Sequence, residues 1–472
     1  LSEDQPIIWW IRRDLRLSDN PVLHQITREG RAVLPVYICD PAEDALGAAP
    51  QFRLGLGLAK LAQSLKAQGL RLIVKRGDAR SVLSDLAKET QAHGVYWSRL
   101  YDPASIERDT EVKTTLRSQG VTARSFGGRL LFEPWTVQKK SGGFFQVYTP
   151  FWRAVSPLPV PPPLSAPSDL RQPMRWPNSL RLEDLDYDRR MHHAADVVAS
   201  HCRVGEELAL ARAETFVQET LAQYDVLRDV PGQDATSGLS ENLAWGEISP
   251  RQIWAMCDKA PPSRAVETFR KELVWREFSY HLMYHTPHIL TRNWREGWDA
   301  FPWTHEIGPE VLAWQRGQTG IDLVDAGMRE LLVTGKMHNR VRMVSASYLC
   351  KHLMAHWKTG MDWFENCLVD WDPAANAMGW QWVAGCGPDA APFFRIFNPD
   401  GQRQKFDPAG TYCNRWIAEG QLTPASLSID FFKACPKSWT LSANALRPDP
   451  VVNLTEGRNR ALAAYQAMKQ RG

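Results

Sequence analysis

Three short stretches set polar and aromatic side chains at spacings that suit one pocket wall. In 271–278 (KELVWREF), Glu272, Trp275 and Arg276 stand at i, i+3 and i+4, which brings a carboxylate, an indole and a guanidinium onto one helix face. That mixed face fits a pocket for something flat and polar; a buried ion pair with an aromatic neighbour fits it equally well. In 338–343 (HNRVRM), Asn339, Arg342 and Met343 share a face in the same way. An amide can read a base edge and a thioether can lie against a flat ring, while a solvated face with Met343 dipping into the core is the plain alternative. Asp370 and Asp372 flank Trp371 just before Asn376. Two acids there can hold cationic side chains, ribose hydroxyls or a protonated ring nitrogen, or simply cap a helix.

A fourth stretch, 236–240 (TSGLS), places three hydroxyls around a glycine ahead of a helical pattern. Such a turn can offer side-chain and backbone donors to a phosphate, although an ordinary helix cap explains it too. His281, His285 and His288 lie close together, and i, i+4 histidines share a helix face. HxxxH lacks the glutamate of a zinc protease and Pro287 ends the helix, so structural histidines are the reading and no metal is expected. No GxSxG and no phosphate-binding GxxxxGKS or GxxxxGKT pattern occurs, which argues against hydrolase and NTPase chemistry.

These side chains need a scaffold. The first 130 residues alternate short apolar runs (6–11, 32–39, 71–75, 94–97, 121–126) with helical patterns (51–68, 79–92, 103–119). That alternation predicts an α/β unit built on a parallel, Rossmann-like sheet. Gly55 and Gly57 mimic a dinucleotide fingerprint, but they fall inside a helical pattern with Lys60 in place of the third glycine. A proline-rich stretch, 157–177, reads as a connector over the surface. From about Gly205 the pattern is helical, most clearly at 269–284, 320–334 and 339–357. The expected division is an α/β unit over 1–133, a linker over 134–204 and an all-helical unit over 205–472.

At 472 residues, 44% hydrophobic, 23% charged and with a net charge of +3, the chain reads as a multidomain globular protein. Its mild charge neither requires nor excludes a polyanionic partner. Eight cysteines without any CxxC pair read as free thiols in a reducing cytoplasm, and neither a signal peptide nor a membrane-spanning run is visible. Most of the twenty tryptophans must serve the core.

Taken in order, five segments resemble the photolyase/cryptochrome family over nearly the whole chain: WWIRRDLRLSDNP (9–21), TSGLS, KELVWREF, GKMHNRVRM (335–343) and NAMGWQWVAGCGPDAAPFFRIFNP (376–399). The likeness is strongest to class I cyclobutane-dimer photolyases. It implies an FAD in the helical unit, active as FADH⁻ and lined by Tyr224, Thr236, Ser237, Leu239, Ser240, Glu272, Arg276, Asn339, Arg342, Asp370, Asp372 and Asn376. Gly238 departs from the usual arginine, which implies one phosphate or surface contact fewer.

The resemblance further implies deoxyribodipyrimidine photo-lyase activity on ultraviolet-damaged DNA, by a bacterial-type monomer at the nucleoid. The damaged dinucleotide would be flipped between Trp275 and Trp382, with Asn339 and Glu272 on its polar edges, Glu272 a donor only if protonated, and Met343 beneath; Arg340 and Arg395 would take phosphates. Glu272, Asn339 and Asn376 would be the catalytic set. Asn339 after a single histidine matches the cyclobutane pattern rather than the histidine pair of (6-4) enzymes. Asn376 stands where plant cryptochromes carry aspartate, so a blue-light photoreceptor is the alternative. Trp380, Trp357 and Trp303 would form an electron wire ending at the surface. A light-harvesting chromophore, methenyltetrahydrofolate or 8-hydroxydeazaflavin, would sit around Cys39, Asp40 and 100–102.

Overall fold

The structure, a computed structural model, describes residues 5–390 and 394–471. Five parallel strands, β1 (Ile7–Ile11), β2 (Val33–Cys39), β3 (Ile73–Arg76), β4 (Gly94–Ser98) and β5 (Thr122–Phe126), form one sheet in the order β3-β2-β1-β4-β5. Central β1 (IIWWI) is apolar at every position because helices cover both faces. Ile7, Trp9 and Ile11 enter the core on one side and Ile8 and Trp10 the core on the other, the period of two inherent in a strand. Ile8 pairs with Leu34 and with Val95, so the sheet grows outward from β1 on both sides. The carboxyl ends of β1 and its two neighbours therefore diverge at a topological switch point, where α/β sheets open a crevice.

The expected strands and the three expected helices of this half are present as Ala48–Ala67, Ala79–Glu89 and Pro103–Ser118. Gly55 and Gly57 sit within the first of these, and a Cβ on Gly57 would come within 2.7 Å of Leu15, so packing explains that glycine. Residues 157–177 carry no helix or strand. The Tyr148–Val155 helix, inside the stretch expected as linker, instead packs on the long Arg264–His285 helix through Phe151 and Phe278, 5.2 Å between ring centres.

The second half is helical. The single helix expected over 339–357 is two: Asn339–Ser347 runs into a wide turn at Tyr348–His352, and a new helix, Trp357–Cys367, begins after it. Met354 takes a left-handed φ of 56°, Ala355 bridges to Thr304, and the His356 side chain caps the new helix by accepting from the Lys358 amide. Nothing local in the sequence marks that break.

The two halves are locked by buried charge. Arg53 meets Glu241 at 2.9 Å and Glu247 at 2.6 Å, all with no exposed side-chain surface, and Lys336 reaches Glu241 at 2.7 Å. All eight cysteines are free, and among the described residues no helix is long and apolar enough to cross a membrane.

Candidate functional site

The Arg264–His285, Asn339–Ser347 and Pro373–Ala384 helices converge on a cavity of about 580 Å³. The first lends Glu272, Trp275 and Arg276, the second Asn339, Arg340, Arg342 and Met343, and the third Trp382. Tyr224, Ser237 and Ser240 close another side. A pocket of about 180 Å³ shares Asn339, Arg342, Asp370 and Asp372 with it and adds Asn376 and Trp380. Residues picked out by spacing from three separate segments thus meet on one hollow. The other two residues of the expected flavin set stand back from it: Leu239 is buried in the core, and the Thr236 carbonyl accepts from Arg212 at 3.0 Å.

Charge in the hollow is arranged in pairs. Arg342 donates to the Met337 carbonyl at 2.7 Å and to Asp370 at 2.8 Å, while the second oxygen of Asp370 is buried without a hydrogen-bond partner. Asp372 caps the Pro373–Ala384 helix through the Ala375 amide and accepts from the Tyr280 hydroxyl at 2.5 Å. Burial opposes its charge, but Arg276, Arg129 and these hydrogen bonds outweigh burial and hold its carboxyl below the usual range. Glu272, expected on the polar edges of the dimer, is in an ion pair with Arg228 at 2.5 Å. The amide of Asn376 donates to the Met361 carbonyl at 3.1 Å.

Gly238 has a physical reason. It holds φ at 62°, a conformation that disfavours any side chain, and the Arg212 guanidinium lies 3.3 Å from where its Cβ would be. Arg212 donates to the carbonyls of Ser237 and Thr236 and pairs with Asp234 at 2.7 Å. A cation does stand beside the turn, supplied by another helix and used to brace it.

His338 caps the Asn339–Ser347 helix, and burial, the main cause, pushes its pKa down to about 4. Arg340, expected on a phosphate, is engaged with Asp229 at 2.8 Å and lies over Phe406 at 4.6 Å. Arg395 is exposed on the segment after residue 393. The other histidine group is structural: His281 accepts from the Phe145 amide at 3.0 Å, and His285 contacts the Pro134 carbonyl at 3.1 Å.

Trp380 packs edge-on to Phe364, 4.9 Å between ring centres, and a Cβ on Gly360 would come within 2.0 Å of its ring. Trp357 is fully buried and donates to Asn293 at 2.8 Å. Between it and Trp303 stands His356, 5.2 and 5.3 Å from the two rings. Trp303 was expected at the surface; it is 8% exposed, because Phe301, Trp298 and His356 cover it. Trp298 in turn stacks on half-buried Tyr465.

Two further hollows are formed by the described residues. One, about 290 Å³, opens at the switch point of the sheet and is lined by Leu100, Tyr101 and Asp102 with Arg13, Glu43 and Arg108. Asp40 pairs with Arg108 at 2.6 Å; burial, then its hydrogen bond with Asp40, pushes the Glu43 carboxyl well above its usual range. Cys39 is not on this wall but donates to Asp44. The other, about 430 Å³, has Trp363 and Trp439 on its walls together with Arg190 and Lys437. The sequence reading missed this second hollow because the two indoles are 76 positions apart.

Glu277, behind the site, predicts a pH effect. It accepts from the Leu131 and Phe132 amides at 2.8 and 3.2 Å, yet burial raises its pKa from 4.5 to about 7. A raised carboxyl pKa means that folding favours the protonated form, so this stabilisation is complete below about pH 4.5 and is lost as pH rises through 7. Glu277→Gln should therefore gain stability relative to the parent between pH 5 and 8, by roughly 3 kcal/mol. Urea midpoints of the two proteins at both pH values measure it; parallel midpoints at both would contradict a buried, titrating Glu277.

An α/β sheet beside a helical unit whose hollow mixes hydroxyls, arginines, acids and indoles defines a nucleotide-cofactor protein. Residues 269–467 match the FAD binding domain of DNA photolyase and residues 7–168 match the family described as DNA photolyase. The chain belongs to the photolyase/cryptochrome family. It is 44% identical to the deoxyribodipyrimidine photo-lyase of Agrobacterium fabrum over 98% of each chain. It is 34% identical to cryptochrome-1 of Arabidopsis thaliana over 98% of this chain and 70% of that one. The crystal structure of a class III photolyase from Agrobacterium tumefaciens superposes with a TM-score of 0.91 at 42% identity, covering 100% of this chain and 99% of that one. The class I assignment expected from the motifs is not established by these relatives.

The helical unit is an FAD-binding one, and its residues fit the group: two joined hollows, hydroxyls at the Gly238 turn, and a spare buried oxygen on Asp370 beside Arg342.

Proposed function

We propose that this chain repairs cyclobutane pyrimidine dimers in DNA with light, and that it stands with class III rather than class I enzymes. One observation carries the repair reading: residues suited to a flavin (Ser237, Ser240, Arg342, Asp370) and residues suited to a flipped dinucleotide (Trp275, Asn339, Met343, Trp382) line the same hollow. The 0.91 superposition on a class III structure supports the class.

Bound FAD would supply a light-excited electron to the dimer, and Ser237, Ser240, Arg342, Asp370, Asp372 and Asn376 would hold it. The chain's own groups do the rest. A damaged step stacks poorly, which lowers the cost of extruding it. Trp275 and Trp382 receive the bases, each stack contributing about 1–3 kcal/mol. Asn339 hydrogen-bonds their polar edges and Met343 packs beneath. Arg228, held by Glu272, is the positive end of a preorganised pair on the wall where negative charge develops on the substrate, and a cation so placed stabilises that charge. Residues 1–133, 134–204 and 205–472 act as antenna, connecting and catalytic segments. The antenna has two candidate seats, and the one with two indoles and two cations suits a flat, anionic chromophore best.

Recovery of thymine absorbance in irradiated oligothymidine under blue light tests the repair reading, and no recovery would overturn it. The 34% identity to a plant cryptochrome keeps a photoreceptor as the second reading, which light-induced self-association without recovery would favour. Asn339→His should weaken binding of the dimer-containing oligonucleotide by about 1–3 kcal/mol, since it removes a paired donor and acceptor. Equal affinity would take Asn339 out of lesion recognition.

A further inference from the structure

Both indoles at the rim of the hollow are held from behind by residues outside the helices that carry them. The Trp275 ring lies flat on Tyr148, with centres 3.7 Å apart and 7° between planes. Phe278 meets both rings edge-on at 5.8 Å. The Tyr148 hydroxyl donates to the Lys271 carbonyl at 2.6 Å, one turn before Trp275 on the same helix, while the stacked ring itself does the covering. One face of Trp275 is thereby covered, and what it offers the hollow is its other face and edge.

Across the rim, the Trp382 indole N–H donates to the backbone carbonyl of Asp389 at 3.1 Å. Asp389 holds a left-handed φ of 52°, a conformation that aspartate adopts more readily than most non-glycine residues. Burial raises the pKa of its carboxyl, and the nearby backbone amide of Tyr148 works against that rise. Each indole thus has a backing residue, Tyr148 under Trp275 and Asp389 at the edge of Trp382, and the Tyr148 amide acts electrostatically on the Asp389 carboxyl.

We propose that Tyr148 and Asp389 are positioning residues that fix the separation of Trp275 and Trp382, making the rim a preformed clamp for a flipped dinucleotide. The proposal rests on the repair reading above and adds to it how the enzyme recognises its substrate. Two free indoles would each have to be ordered when DNA binds; braced indoles are ordered already. Rigidity of this kind is worth about threefold to tenfold in affinity per side chain. The clamp recognises an extruded, flat, two-ring lesion and contributes nothing to contact with the sugar–phosphate backbone. Its loss must show in lesion preference and not in general DNA affinity.

The test uses FAD-loaded protein and two labelled oligonucleotides, one carrying a single thymine dimer and one undamaged, with Kd read by fluorescence anisotropy in the dark. Tyr148→Leu keeps apolar bulk but removes the flat ring; Tyr148→Phe keeps the ring. Asp389→Gly tolerates the left-handed backbone and removes only the carboxylate, so it carries the test from the other end if the Leu variant does not fold. The expected result is an approximately tenfold weaker Kd for the dimer with Tyr148→Leu, a smaller loss with Asp389→Gly, and restoration with Tyr148→Phe. Affinity for undamaged DNA stays constant, and under saturating light the loss appears in KM rather than kcat. Unchanged dimer affinity in both Tyr148→Leu and Asp389→Gly, or an equal loss on undamaged DNA, overturns the clamp alone. Parent protein that shows no preference for the dimer overturns the repair reading, and the clamp with it.

Discussion

Arg53→Met is expected to destabilise the folded chain by about 3–5 kcal/mol, the loss found when one partner of a fully buried ion pair is removed. The guanidinium spends all three nitrogens on protein groups: Nε on Glu241, both terminal nitrogens on Glu247, and one of these also on the Arg203 carbonyl at 3.4 Å. Neither carboxylate has exposed side-chain surface. Without Arg53, Glu241 keeps Lys336 and Glu247 keeps only the Asn242 amide, so one carboxylate is left in the interior with no cation. Met preserves the apolar stem, which isolates the charge effect. Urea unfolding followed by far-ultraviolet circular dichroism should show a lower midpoint with an unchanged slope. Removing the charges together, in Arg53→Met, Glu241→Gln, Glu247→Gln, should recover much of the loss, because the cost comes from the stranded carboxylate. A single variant within 1 kcal/mol of the parent would mean that water reaches this network.

Arg53 also shows where sequence reasoning stops. It lies two residues from Gly55, in a stretch whose glycines imitate a nucleotide fingerprint, and its partners are 188 and 194 positions away. No spacing rule connects them. The three inner strands were legible for the opposite reason: a parallel strand buried on both faces must be a largely apolar run bounded by turn residues, as β1, β2 and β4 are, whereas the edge strands β3 (IVKR) and β5 (TARSF) carry charged residues toward solvent. The pocket walls were legible because helical spacing alone puts Glu272, Trp275 and Arg276 on one face. Their partners were not: Arg228, Arg212, Tyr148 and Asp389 reach the site from other elements, Tyr148 from a stretch read as linker. The break before Trp357 escaped as well, since no glycine or proline stands between 344 and 356 and the cause is a bridge to distant Thr304. The resemblance alone put Trp303 at the surface, and the ring that covers it, His356, belongs to that same unforeseen turn.

Arg342→Met should give a folded protein that retains little flavin. Arg342 is the cation nearest Asp370, at 2.8 Å, and the Asp370 side chain is 2% exposed with one oxygen already unpartnered. Taking Arg342 away leaves a bare carboxylate in the wall of a hollow that must accept a cofactor with two phosphates. Repulsion and the stranded charge act in the same direction. Breaking such a pair costs about 2–5 kcal/mol, and because Arg342 is itself 27% exposed the lower half applies, roughly a hundredfold in Kd for FAD. The ratio of flavin to protein absorbance after purification reads the loss directly. A second readout does not depend on activity: added FAD should raise the thermal midpoint of flavin-depleted parent protein by mass action and leave that of Arg342→Met nearly unmoved. Arg342→Lys keeps the charge without the fork that spans Met337 and Asp370, so it should fall between the two. Asp370→Asn separates the causes: it removes the stranded charge, so pairing it with Arg342→Met should restore part of the flavin content. A double variant no better than Arg342→Met would assign the loss to the missing Arg342 hydrogen bonds instead of to charge. An Arg342→Met protein that holds flavin like the parent would remove this pair from cofactor binding altogether.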